Sequence, residues 1–211
     1  MTIPKIIFIV PFRNRQMQKI HFDVYMKYIM EDYNKSDYEI YYSHQCDTRA
    51  FNRGAVKNIG FLAIKDKYPD DYKNITFVFN DIDTLPYQKN LLNYQTEKNK
   101  IKHFFGFEFA LGGIFSITGE DFEKINGFPN FWGWGLEDNR IQQRAKYFNI
   151  IIDRSIFFSI NSPNILYFDK EQHKITTRKA LEKSININSK INDGLRSLKY
   201  KYKIENEYIN I

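Results

Sequence analysis

Two pairs of carboxylates are spaced for chemistry. Asp81 and Asp83 flank Ile82 directly after the apolar run Ile75–Phe79. In extended backbone their side chains would share one face while Ile82 turns to the core. Two carboxylates side by side repel unless a cation or donors lie between them, and hard oxygen ligands suit Mn²⁺ or Mg²⁺. Glu137 and Asp138 close the run Gly127-Phe128-Pro129-Asn130-Phe131-Trp132-Gly133-Trp134-Gly135-Leu136-Glu137-Asp138, which holds both tryptophans of the chain. Glycine on each side of Trp134 frees the backbone beneath a large ring. Such a segment is better suited to a lid over a flat ligand than to a rigid core.

Arg13, Arg15 and Arg53 are candidate anion contacts, because guanidinium forks match phosphate oxygens. Phe51, two residues before Arg53, is placed to stack on a nucleobase. Each has an ordinary alternative as a surface charge or a core aromatic.

The elements that must position these residues alternate. Lys5–Val10 reads as a parallel strand covered on both faces, stopped by Pro11 and followed by the loop Pro11-Phe12-Arg13-Asn14-Arg15. Gln18 to Glu31 reads as a helix with Ile20, Val24 and Tyr28 at helical spacing. Tyr38–Ser43 is a second strand, Asn52 caps a helix over Arg53–Lys65, and Ile75–Phe79 is a third strand. His103–Phe109 and Gly113–Ile117 follow as strands, and Thr118 with Asp121 caps a short helix ended by Asn126-Gly127. Glu137–Phe148 is a helix, Ile150–Ile152 a strand, Thr177–Ser184 a helix and Leu195–Ile204 an edge strand. The alternation predicts an α/β fold with a mostly parallel sheet flanked by helices. Ligands in such sheets sit at the carboxyl ends of strands, where both Pro11–Arg15 and Asp81–Asp83 fall.

At 211 residues, with 43% hydrophobic and 17% aromatic content, the chain is expected to fold as a single domain, residues 1–211. The formal charge of +6 is spread along the sequence, which argues against a nucleic-acid binder. Cys46, the one cysteine, permits no internal disulfide. The apolar run after Met1–Lys5 is too short for a membrane span or signal peptide, so the expectation is a cytoplasmic protein without an anchor.

Taken together, the motifs resemble those of the β-1,4-galactosyltransferases, glycosyltransferase family seven. Pro11–Arg15, Asp47-Thr48, Phe51-Asn52-Arg53, Asn58–Phe61, Asp81–Asp83, Gly112-Gly113, Trp132–Asp138 and Asp193–Leu195 occur in that family's order. The resemblance implies a GT-A fold and an inverting transfer from a UDP-sugar to a sugar hydroxyl of a glycan. By the same resemblance Pro11, Phe12, Arg13, Arg15, Phe51, Arg53, Asp81, Ile82, Asp83 and Gly113 form the donor site, with Asp83 as a metal ligand. Trp134 matches the lid tryptophan, Glu137 an acceptor-side carboxylate and Asp138 the general base, on the wall facing the diphosphate.

The sequence departs from the family at Asn139, where many relatives carry an acid, and at Ala110, near a position that is often a donor-screening Tyr. A small side chain there leaves room for an N-acetyl group, so UDP-galactose and UDP-N-acetylgalactosamine are both candidate donors. The family's metal-binding His motif is not reproduced around Tyr167-Phe168-Asp169, which makes His173 the candidate substitute. The main competing reading is a nucleotide-sugar or glycan binder without turnover.

Overall fold

The computed structural model describes residues 2–133, 135–168 and 192–211. Trp134, Asp169, His173 and the helix expected over Thr177–Ser184 lie outside the described residues.

The sheet is organised on β1 (Ile6–Phe12), every residue of which is buried. It pairs in parallel with β2 (Tyr38–His44) on one side and β3 (Thr76–Asn80) on the other. A central strand covered on both faces has no polar face, hence the unbroken apolar run. Side chains alternate between two cores. Ile7 and Ile9 pack with Phe61, Phe77, Phe79, Phe115, Phe122 and Phe128. Ile6, Phe8, Val10 and Phe12 pack with Phe22, Met26 and Ile29. At about 1.5–3 kcal/mol for each large apolar side chain buried, these two layers dominate the stability of the fold.

Helix α1 (Gln16–Ile29) covers one layer, and α2 (Arg53–Lys67) the other. β4 (Thr84–Pro86) follows β3. β5 (Lys100–Gly106) pairs antiparallel with β6 (Ile114–Thr118), and β6 antiparallel with β3. α3 (Gly119–Lys124) and α4 (Glu137–Tyr147) precede β7 (Ile151–Asp153) and β8 (Phe158–Ser159), both parallel to β5. β9 (Ile165–Tyr167) pairs with β4 in a small separate sheet. β10 (Lys203–Glu205) and β11 (Tyr208–Asn210) close the far edge, β11 parallel to β2. The result is a mixed, mostly parallel sheet between helices, with order β10-β11-β2-β1-β3-β6-β5-β7.

Local expectations fail at four places. β1 does not stop at Pro11. Past Ile9 it is paired only with β2, where a residue without an N–H is tolerated. On α1 the stripe Ile20, Val24 and Tyr28 is 56%, 64% and 41% exposed, and Phe22, Met26 and Ile29 face the sheet. Helical spacing identifies stripes but not which one turns inward. β5 ends at Gly106, so Phe107–Phe109 belong to the connection to β6. The expected Leu195–Ile204 strand resolves into a 3-10 turn at Leu195–Ser197 and the short β10.

Among the described residues, no helix is long and apolar enough to cross a membrane.

Candidate active site

β3 delivers the first carboxylate pair. It ends at Asn80, and Asp81–Asp83 is a tight turn, not the extended backbone expected. The Thr84 N–H donates to the Asp81 carbonyl at 3.2 Å, and Asn80 Nδ2 donates to the carbonyls of Asp81 and Thr84 at 2.8 Å. The Asp81 N–H donates in turn to the Gly113 carbonyl at 3.0 Å. Gly113 has φ +68°, and a β carbon there would lie 2.5 Å from the Phe105 carbonyl oxygen, so this close approach requires glycine. The Phe168 N–H donates to the Asp83 carbonyl at 2.9 Å, which brings the end of β9 beside the turn.

α4 delivers the second pair. Its approach is pinned at one end: Asn58 bonds the Phe128 N–H and carbonyl, and Arg144 donates to the carbonyls of Asn126, Gly127 and Asp193. Gly133 and Gly135 then adopt φ +114° and +131°. Leu136, the N-cap, is left-handed at φ +66° with no side-chain cap. That conformation is costly for a branched side chain and marks the start of α4 as constrained. It places Glu137 and Asp138 in the first helical turn, where negative charge is favoured.

Arg53, the first residue of α2 after the Asn52 cap, joins the two pairs. Its Nη2 donates to both Asp81 oxygens at 2.8 Å. Its Nη1 donates to Glu137 and lies 3.4 Å from Asp138 Oδ2. Lys57, one turn further along α2, is 1% exposed, with Nζ 3.5 Å from Asp81 Oδ1 and 3.6 Å from Asp138 Oδ1. Gly112 leaves room for this arrangement, since a β carbon there would lie 2.7 Å from Asp138 Oδ2. The Asp138 carbonyl also accepts the Leu111 N–H at 2.9 Å.

The charges are unequal. Burial would raise the Asp81 carboxyl, but Arg53 and Lys57 outweigh it and hold it at about 2. Burial, reinforced by the Asp81 charge, pushes Asp83 up to about 6 against Arg53 and Arg15. Burial also raises Glu137, with Arg53 opposing and Asp138 adding to the rise. Arg53 is shifted upward: its burial is outweighed by Asp81, Asp138 and Glu137.

The structure thus brings together Arg53, Asp81, Asp83, Glu137, Asp138 and Gly113, with Arg15 close enough to act on Asp83. The two pairs do not stand on separate walls, because Arg53 bridges them. Arg13 turns away and donates to the Arg49 carbonyl. Pro11, Phe12 and Ile82 are buried, Phe12 against Tyr42, His44 and Tyr208, so the apolar residues of these motifs belong to the core beneath the site. Phe51 is half-buried, and its carbonyl accepts the Gly133 N–H at 3.3 Å. Ala110 is 6% exposed. Sequence reasoning missed Lys57; its one signal was a lysine one turn after Arg53, next to Val56 in a helix with buried apolar residues.

No three His, Cys, Asp or Glu side chains gather as a metal site among the described residues. The donor set nevertheless fits a hard divalent cation: Asp83 is 8% exposed beside Asp81, and burial and the Asp81 charge both raise its carboxyl.

The sheet order and its flanking helices are those of a GT-A-type fold. Drosophila β-1,4-galactosyltransferase 7, solved as a mutant in complex with manganese, UDP-Gal and xylobiose, matches with a TM-score of 0.77 at 22% identity, covering 99% of this chain and 93% of that one. Residues 1–96 match the N-terminal region of glycosyl transferase group 7, and residues 94–167 the domain described as the N-terminal domain of galactosyltransferase. β-1,4-Galactosyltransferase 1 of Mus musculus is 32% identical over 219 residues, 93% of this chain and 50% of the mouse protein. β-1,4-Galactosyltransferase 6 of Rattus norvegicus is 32% identical over 157 residues, 68% of this chain and 38% of the rat protein. The chain belongs to glycosyltransferase family seven. It spans about half the length, or less, of these relatives.

Proposed function

We propose that this chain is an inverting hexosyltransferase that moves galactose or N-acetylgalactosamine from a UDP-sugar to a sugar hydroxyl of a glycan. The observation that carries the reading is the meeting of two carboxylate pairs on one arginine in a chain of this family. One pair, two carboxylates close together with Asp83 raised by burial and by Asp81, suits a divalent cation on a diphosphate. The other begins a helix, where an ionised carboxylate is favoured.

Asp83 would hold Mn²⁺, or Mg²⁺, with His173 the candidate second ligand. The metal would neutralise charge on the departing diphosphate. Arg15 adds positive charge beside Asp83. Asp138 takes the acceptor hydroxyl proton, and Glu137, fixed by Arg53, orients that acceptor. Trp134 follows Gly133 in the run leading to this pair and is, by the family resemblance, the candidate lid residue for the donor. Phe51 stacks on the uracil. The small Ala110 leaves space at the donor sugar's second carbon and favours use of UDP-N-acetylgalactosamine beside UDP-galactose.

The test is a panel of UDP-sugars assayed for UDP release, with and without Mn²⁺ and glycan acceptors. Acceptor-dependent release that requires the metal is the expected result. UDP binding without turnover of any sugar would instead identify a nucleotide-sugar binder. UDP should raise the melting temperature more than GDP, by mass action on the folded state. Equal shifts would remove the uridine assignment.

A further inference from the structure

A lysine buried to 1% exposure is costly unless its charge is compensated, and a methionine or leucine would fill a helix face at lower cost. Lys57 is held over the Phe128 ring, 4.8 Å from its centroid, with one carboxylate oxygen on either side. The two oxygens differ in need. Asp81 already accepts two hydrogen bonds from Arg53 at 2.8 Å. Asp138 Oδ1 is fully buried and has no hydrogen-bond partner among the described residues, so the ammonium 3.6 Å away is its ion-pair partner. Asp138 Oδ2 lies 3.4 Å from Arg53 and against Gly112, where a β carbon would come within 2.7 Å of it.

We propose that Lys57 is a positioning residue for the transfer: it fixes the inner oxygen of Asp138 so that the outer oxygen is presented to the acceptor hydroxyl. The proposal rests on the reading of Asp138 as the base. Arg53 and Lys57, four residues apart on one helix face, then hold the carboxylate from two sides.

The test compares wild type, Lys57→Met, Asp138→Asn and the double variant in one acceptor-dependent UDP-release assay with UDP-galactose and Mn²⁺. Lys57→Met should lower kcat about tenfold with the donor KM within about twofold, and should change the rate less than about twofold once Asp138 is Asn. A wild-type kcat in Lys57→Met, or an equal fall in both backgrounds, would overturn the proposal. If wild type turns over no UDP-sugar, the transferase reading fails separately. The pairing is then decided by the melting temperatures of the same four proteins, where non-additive changes support it and additive changes overturn it. Should Lys57→Met not fold, Lys57→Gln, which keeps a donor without the charge, takes its place in the same cycle.

Discussion

Asp81 and Asp83 end a strand, whereas Glu137 and Asp138 begin a helix, and the two pairs are held in different ways. The strand-end pair is locked through its main chain, with Asp81 N–H on Gly113, Asp81 carbonyl on Thr84 and Asp83 carbonyl on Phe168. The helix-start pair follows two glycines at positive φ and a left-handed Leu136. Charge is distributed differently as well. At the strand end one carboxyl is held at about 2 and its neighbour pushed to about 6. At the helix start Glu137 is buried and raised, while Asp138 lies between two cations. A fixed backbone carrying two crowded carboxylates suits a cation that must not move. A carboxylate steered by side chains suits a proton acceptor that must meet an incoming hydroxyl.

Arg53 makes the shorter contacts to both pairs, with Lys57 further off, so its removal should have the largest effect. Arg53→Met leaves Asp81 and Glu137 buried without their main cation. Breaking a buried pair in this way costs about 3–5 kcal/mol, which lowers the melting temperature by roughly 10 °C in a chain of this size. Transfer should be lost with it. A variant that melts like wild type would mean that the pairs are independent.

Asp138→Asn separates them next. It keeps the shape of the side chain and removes its basicity, so kcat should fall by on the order of 10²–10⁴. UDP protection against thermal unfolding should remain, because Arg53 keeps Asp81 and Glu137. Near-normal transfer would show that another group is the base.

Within the strand-end pair, the two aspartates should have opposite effects on the metal-free protein. Asp81, depressed in the folded state, contributes stability above its unfolded value that is lost as pH falls through about 2. Asp83, raised, contributes stability at low pH that is lost as pH rises through about 6. At pH 7.5 in chelator, Asp81→Asn should therefore destabilise and Asp83→Asn stabilise, each by roughly 2–3 kcal/mol. Denaturant melts at pH 7.5 and pH 5 give the signs. Shifts of the same sign for both would refute the split.

Much of this contrast was legible in the sequence, and the reasons are physical. The strands show because a covered parallel sheet needs unbroken apolar runs, and the α2 start shows because Asn52 supplies a cap, its Oδ1 accepting the Ala55 N–H. Both carboxylate pairs show through their setting, one following an apolar run and the other closing the Gly-Trp-Gly segment. What stayed hidden depends on phase and distance. Ile20, Val24 and Tyr28 form as good a helical stripe as Phe22 and Met26, and only packing selects between them. The bridging role of Arg53 and the burial of Lys57 join residues 28 and 85 or 81 positions apart, which no local pattern encodes.

The smallest predicted effect tests whether the helix-start pair depends on a missing β carbon. Gly112 is not among the glycines with positive φ, so its backbone accepts alanine. The added carbon would lie 2.7 Å from Asp138 Oδ2, closer than real contacts allow, and a tight 3.1 Å from its Cγ. The carboxylate is the softer partner and should yield, leaving the geometry set by Lys57 and Arg53. Gly112→Ala should therefore lower kcat roughly tenfold, less than the 10²-fold that a 1 Å misplacement can cost. The melting temperature should change little, because the entropy gain of about 0.4–1 kcal/mol from restricting the unfolded chain offsets the local strain. The Mn²⁺ titration should match wild type, since Asp81 and Asp83 are untouched. An unchanged kcat would mean that Asp138 acts from a position Gly112 does not limit, and an altered metal requirement would mean that the two pairs are coupled through the Gly112-Gly113 segment as well as through Arg53.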